Sequence, residues 1–393
     1  MARGLLTYLE CLLYWAPVNP ITAAAYFVPT QANNAFTLPY AMRALESHSI
    51  DVTSFYVLQI VQTLSYDSLG YVERFILETA KFSQLFAHWI IWNMKANSYK
   101  DEDSQIVGFQ SLGCIIVLTN CELSLTPSSQ LWTSDKVMDH LMEAPLEKNQ
   151  KIAEELAKIN VDVGVYLPSN PDGIVIDVER KSCKSLQSHV KAPFMATFRI
   201  SKKGITSIAE TEDTSRNERL QGSVSTVTKD LWQAIIFKVE DDCRQDMLAL
   251  QLISVFRNIF NSAGLDVWVF PYRVTATAPG CGVIDVLPSL ISTAMLGRDH
   301  EMGLYDYFIN KYGDKDSTEF QEARNNFVNY MAVYSVILYL LKFKDRHNGN
   351  IMINGTGHII HIDFGFCFDI APGGIPFKLT TEMVSVLGGN TES

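Results

Sequence analysis

Residues 344–366 read KDRHNGNIMINGTGHIIHIDFGF, and this stretch decides the fold. IMIN and HIIHI are short β-rich runs separated by Gly355 and Gly357, so they read as two strands of a hairpin. Such a hairpin brings the residues at its feet, Asn350 and Asp363, close together. An amide oxygen and a carboxylate on adjacent loops suit a hard Mg²⁺ ion already held by phosphate oxygens. Asp345, five residues before Asn350, is placed to orient or deprotonate an attacking hydroxyl.

A second element lies upstream. In WQAIIFKV (232–239) the strand period of two puts Lys238 on the face of Ala234 and Ile236. An ammonium on the apolar face of a buried strand needs an anionic partner. Asp246, one turn into the following helix, is the internal candidate, and ATP phosphates are the ligand candidate. Protein kinases cover those phosphates with G-x-G-x-x-G. No such motif occurs here, and SLQSHVKAPF (185–194) offers Lys191 and backbone amides instead. That difference points away from a protein kinase and towards a lipid kinase.

Around these motifs the chain changes texture. Residues 1–100 read as helices, with YVERFILETAKFSQLFAHWIIWNMKA (71–96) carrying one helical stripe through Val72, Phe75, Ile76, Phe82, Leu85, Phe86, Trp89 and Ile90. Residues 101–160 read as an irregular linker that regains a polar helical pattern near KNQKIAEELAKIN. From 161, VGVYLPS, GIVIDVE, PFMATFRI and QAIIFKV read as strands. Residues 201–229 read as a polar, mobile insertion. CRQDMLALQLISVFRNIF reads as a long helix, WVFPYRVTATA and GCGVIDVLPS as strands, and the region from about 300 to 343 as helices.

Composition excludes several classes. The net charge of −11 argues against a dedicated nucleic-acid protein and against unaided adhesion to an anionic membrane. Seven scattered cysteines without a CxxC pair argue against a disulfide framework or zinc site and fit a reducing compartment. The run Phe327–Leu341, broken by Asn329 and Ser335, falls short of the roughly 20 apolar residues that span a bilayer. A soluble chain is expected. His88, His358 and His361 read as packed or hydrogen-bonded residues and not as metal ligands.

DRHNGN…DFG together with FKVEDDCRQDMLALQ resembles the phosphatidylinositol 3-/4-kinase superfamily. YLPSNPDG, KAPFMATF, FPYRVTATAPGCGVIDVLP and IAPGG…PFKLT resemble its type III alpha phosphatidylinositol 4-kinases, the fungal ones in particular. LYWAPVNPITAAAYF and the 71–97 stretch resemble that family's helical accessory domain. The resemblance implies an α+β chain with an accessory helical domain (1–100), an irregular linker (101–160), a kinase N-lobe (161–284), and a hinge with a partial, truncated C-lobe (285–393).

It further implies ATP and Mg²⁺ as cofactors and transfer of phosphate to the 4-hydroxyl of phosphatidylinositol. Lys238 is implied to contact ATP phosphates with Asp246 as its pair, Tyr272 to support that corner, and Asp285, Val286 and Leu287 to form the adenine hinge. Asp345 and His347 are implied to serve the inositol hydroxyl, Asn350 and Asp363 to hold metal, and Lys378 to sit in the substrate loop. The implied partners are membrane phosphatidylinositol and scaffold subunits at the plasma membrane. Residues 106–133 look unlike the family, PGG runs almost directly into PFKLT, and Glu240 stands where the family has Gly. Two other readings stay open at this point, a protein kinase of the related atypical class and a non-catalytic scaffold fragment.

Overall fold

The structure is a computed structural model that describes residues 11–27, 30, 34–97, 99–100, 106–107, 148–158, 161, 165–186, 193–205, 226–239, 241–299, 302–368 and 379–389. Lys191, Lys378 and most of the expected linker and polar insertion lie outside the described residues. Contacts divide the chain into two compact units. The first is Met1–Asp241 with Thr275–Asp285, and the second is Asp242–Val274 with Val286–Ser393.

The first unit begins with helices α1 (Pro20–Ala24), α2 (Thr37–Glu46), α3 (Ile50–Phe55), α4 (Val57–Leu64), α5 (Tyr71–Phe82) and α6 (Gln84–Asn97). Asp67 starts α5 by accepting the backbone N–H groups of Tyr71, Val72 and Glu73, which have no partner inside the helix. The single stripe expected over 71–96 is two helices. Ser83 adopts an extended backbone, and its hydroxyl accepts the Phe86 N–H, so it ends one helix and caps the next. Ile60, Ile76, Phe86, Ile90 and Ile91 share one buried core.

A short pair, β1 (Tyr99–Lys100) and β2 (Ile106–Val107), precedes α7 (Lys148–Lys158). Then come β3 (Tyr166–Leu167), β4 (Asn170–Ser185), β5 (Phe194–Ile205) and β6 (Thr226–Val239). With β7 (Val274–Ala278) and β8 (Cys281–Asp285) they make a six-stranded sheet ordered β3-β4-β5-β6-β8-β7. β5 and β6 pair from Phe194↔Phe237 to Ile205↔Thr226, so both ends of the expected insertion are strand. Ile152 and Leu156 of α7 join the sheet's core, where Phe194 stacks on Phe237 at 4.8 Å. WVFPYR, read as part of a strand, is irregular up to Val274.

His88 of α6 is buried in the same unit. Its Nε2 lies 3.0 Å from the Pro168 carbonyl oxygen. A carbonyl can only accept, so Nε2 carries the proton. Burial holds the His88 pKa down to about 4, outweighing the raising effects of that hydrogen bond and of Asp172. The unfolded chain therefore takes up a proton below pH about 6.5 that the folded chain refuses until about 4, so stability falls as pH falls through this window. Replacing His88 by Phe should remove about 2 kcal/mol of the stability lost between about pH 7 and pH 5. Chemical denaturation at the two pH values measures it, and an unchanged acid slope would refute the assignment.

The second unit holds α8 (Arg244–Ser262), which the sequence division had placed within 161–284. It continues with β9 (Ile291–Ser292), α9 (Thr293–Asp299), α10 (Leu304–Tyr312), α11 (Thr318–Leu340), β10 (Ile351–Ile353), β11 (Ile359–His361) and α12 (Thr381–Leu387). β10 pairs with both β9 and β11. The turn between β10 and β11 needs glycine at 357, where φ is +87° and a Cβ would lie 2.6 Å from the Ala323 carbonyl oxygen on α11. Arg324 of α11 donates to the Val386 and Leu387 carbonyls at the end of α12. Among the described residues no helix is long and apolar enough to cross a membrane.

Candidate active site

The expected hairpin is present, with Ile351 opposite His361 and Ile353 opposite Ile359. The pairing extends one step beyond the strands, where the Ile362 N–H donates to the Asn350 carbonyl at 3.0 Å. That bond places Asn350 beside the residue preceding Asp363. Asn350 is buried, and its Nδ2 donates to the Asp345 carbonyl at 2.9 Å. The amide nitrogen must face that acceptor, so Oδ1 occupies the other branch, where it can meet a cation. Asp345 and Asp363 both adopt left-handed backbone, with φ of +58° and +59°. For non-glycine residues this conformation costs on the order of 1 kcal/mol or more, and the surrounding bonds must hold it.

Arg346 supplies many of those bonds. Its guanidinium donates to the carbonyls of Lys344, Ile362 and Asp363 and lies over the Phe364 ring. One planar side chain thus ties the Asp345 loop to the Asp363 loop. Burial lowers the Arg346 pKa, while Asp363, Tyr272, Asp345 and Asp246 act to raise it. Sequence reasoning gave Arg346 no role, although its place between Asp345 and His347 was visible.

Asp246 braces the far side. It sits in the first turn of α8, is buried, and accepts the Phe364 N–H at 2.7 Å. Carboxylates are favoured at a helix N-terminus, where backbone N–H groups concentrate positive potential. Tyr272 stacks near Phe364 and its hydroxyl is hydrogen-bonded by the Asp363 backbone; burial, then Asp246, pushes its pKa well up. His347 accepts the Gly349 N–H on Nδ1, and its Nε2 lies 4.0 Å from Asp345 Oδ1. His361, the last residue of β11, is buried and stacked with Tyr334 at 5.2 Å. Neither of its ring nitrogens has a hydrogen-bond partner, so it is packed as expected but not hydrogen-bonded there. His358 packs against Trp268 with the rings tilted and their centroids 4.3 Å apart, and its Nδ1 meets the Thr356 hydroxyl at 2.9 Å.

Lys238 and Asp285 belong to the first unit. Lys238 pairs across the sheet with Gly282, and Asp285 with Ile235. The fully buried face of β6 is Ile235, Phe237 and Val239, so Lys238 lies on the opposite, half-buried face, not on the core face. Its Nζ forms an ion pair with Asp241 at 3.0 Å, a partner the sequence reading missed although it lies only three residues on. The Ser169 hydroxyl donates to the Asp285 carboxylate. Val286 and Leu287 follow as the first residues of the second unit's return, both half-buried.

Among the described residues no group of three or more His, Cys, Asp or Glu side chains could hold a metal by itself. One carboxylate and one amide oxygen suit Mg²⁺, which keeps waters and phosphate oxygens as its other ligands.

Residues 232–393 match the family described as phosphatidylinositol 3- and 4-kinase, and residues 6–117 match the accessory (PIK) domain of the phosphoinositide 3-kinase family. The chain belongs to the phosphatidylinositol 3- and 4-kinase family. It is 55% identical to Phosphatidylinositol 4-kinase stt4 of Schizosaccharomyces pombe over 97% of this chain and 21% of that protein. It is 53% identical to Phosphatidylinositol 4-kinase STT4 of Saccharomyces cerevisiae over 98% of this chain and 20% of the relative. Phosphatidylinositol 4-kinase alpha 2 of Arabidopsis thaliana is 34% identical over 92% of this chain and 66% of its own length. The chain thus spans about a fifth of the length of the fungal relatives. This chain thus joins a match to an accessory domain with a match to a kinase domain.

Proposed function

We propose that the chain carries the catalytic machinery of an ATP- and Mg²⁺-dependent lipid kinase that phosphorylates the 4-hydroxyl of phosphatidylinositol. The observation that carries this reading is the Arg346-braced pair of loops holding Asp345, Asn350 and Asp363, in a chain related to named phosphatidylinositol 4-kinases. Asp345 orients the inositol hydroxyl and takes its proton, with His347 beside it. Asn350 Oδ1 and the Asp363 carboxylate hold Mg²⁺, which when bound neutralises charge on the phosphates. Lys238 engages ATP phosphates, exchanging Asp241 for them or sharing it. Tyr272 supports the Asp363 loop, and backbone groups of Asp285, Val286 and Leu287 meet adenine. Lys191 and Lys378 complete the ATP and substrate contacts.

Substrate choice follows from charge. From Phe366 to Glu382 the sequence FCFDIAPGGIPFKLTTE has Lys378 as its one cation, against Asp369 and Glu382. One lysine can meet the single phosphodiester of phosphatidylinositol but not two further phosphates. With a net charge of −11, attachment at the plasma membrane then depends on scaffold subunits. Vesicles of phosphatidylinositol and of its bisphosphorylated form test both points. Turnover should be at least about tenfold faster on the unphosphorylated lipid, and sedimentation with vesicles should be weak and lost in salt. Equal or faster turnover of the bisphosphorylated lipid, or strong salt-insensitive binding, would overturn them.

A further inference from the structure

The sheet order puts the β3–β4 turn at one edge and β8 four strands away. Side chains of that turn nevertheless reach the far strands, so the sheet curls back on itself. Ser169 donates its hydroxyl proton to the Asp285 carboxylate at the end of β8. Asn170 donates to Gln233 Oε1 of β6 at 2.6 Å, on the strand that also carries Lys238. The turn's third polar group, the Pro168 carbonyl, accepts from His88 Nε2 of α6 at 3.0 Å. All of these residues lie in the first unit, and Ser169 and Asn170 are 0% and 2% exposed. The hydroxyl is buried and the Asp285 carboxylate half-buried, and a hydroxyl that donates to a carboxylate makes a charge-assisted bond.

We propose that Pro168–Asn170 is a positioning element for the adenine nucleotide, through which His88 of the helical segment fixes the end of β8 at Asp285. The proposal rests on the kinase reading above, in which the backbone from Asp285 onward meets adenine. The Asp285 side chain is the anchor: holding it to Ser169 fixes the direction in which its peptide groups leave the sheet. Asn170 fixes β6 relative to the same turn, so the adenine-facing and phosphate-facing strands share one support. His88, Ser169 and Asn170 touch neither nucleotide nor lipid in this scheme. They are positioning residues, and the helical segment is coupled to nucleotide affinity instead of being a passive scaffold.

The test uses the 393-residue chain and ATP with Mg²⁺, with calorimetric binding and steady-state kinetics as readouts. Losing one charge-assisted hydrogen bond of this kind should weaken ATP binding about three- to tenfold. Ser169→Ala should raise Kd and KM for ATP by that factor, while kcat at saturating ATP and KM for lipid change less than about twofold. His88→Phe should do the same, and His88→Gln, which keeps an N–H donor, should recover most of the loss. The double variant Ser169→Ala/His88→Phe should be scarcely weaker than either single one, because both break one chain of bonds. Folded variants that bind ATP like the starting chain would overturn the proposal alone. So would losses spread equally over kcat and the lipid KM, which signal general damage. If Ser169→Ala does not fold, the His88→Phe and His88→Gln pair decides by the same criteria. Failure of the unsubstituted chain to bind ATP would instead bring down the kinase reading, and this proposal with it.

Discussion

Asp363→Ala should lower kcat by about a thousandfold or more, and Asn350→Ala should do nearly the same, with little change in melting temperature. In the proposed mechanism both side chains hold the metal whose charge offsets that of ATP and of the transferring phosphoryl group. Loss of one such electrostatic contact removes roughly 4 kcal/mol of transition-state stabilisation that water in the gap does not restore. The fold should survive, because the two loops keep the Arg346 bonds to the Lys344, Ile362 and Asp363 carbonyls, all of them backbone groups. Asn350→Ala also gives up the bond from Nδ2 to the Asp345 carbonyl, so it should lose slightly more stability than Asp363→Ala. Single-turnover transfer from labelled ATP, read beside a thermal melt, measures both. Near-normal turnover in either variant would refute the metal assignment.

The second large effect falls on a residue that need not touch the transferred phosphate. Asp246→Ala leaves the Phe364 N–H buried with its acceptor removed. An unsatisfied buried donor costs about 1–3 kcal/mol, and here the strain falls on the peptide next to Asp363. Activity should drop about a hundredfold and the melting temperature should fall. Asp246→Asn retains an acceptor oxygen and should recover most of the stability but not all of the activity, because the carboxylate charge next to Tyr272 is gone. Equal stability of the Ala and Asn variants would show that the Phe364 bond does not hold the loop.

The hairpin was legible because everything that specifies it is local: two β-rich runs, a turn that demands Gly357, and loops of fixed length at its feet. The long helix α8 was legible in CRQDMLALQLISVFRNIF, and its buried Asp246, Ala249, Leu250 and Ile253 fall at helical spacing. Ser83 was misread because a serine inside an apolar stripe carries no mark of whether it will cap a new helix or sit within one. The extent of β5 and β6 was hidden for a different reason. Their distal ends, such as Lys203 opposite Thr228, are polar on a two-stranded extension, so no alternation announced them.

The support of the site was the least legible part. Strand period identified the two faces of β6 but not which one is the core, and Asp241, the anion that Lys238 meets, lies past the end of the strand where no period applies. Ser169 reaches Asp285 across 116 residues of sequence, and His88 reaches Pro168 across 80. Such contacts follow from the curl of the sheet, which is a property of all its strands together and of no single motif.

The most direct measurement is the identity of the product. The chain is incubated with labelled ATP, Mg²⁺ and phosphatidylinositol vesicles, and the headgroup is then released and the position of its new phosphate determined. Label on the inositol 4-hydroxyl, absent when Asp363→Ala replaces the unsubstituted chain, is the predicted result. Label on another hydroxyl, on protein instead of lipid, or undiminished in Asp363→Ala would contradict the account.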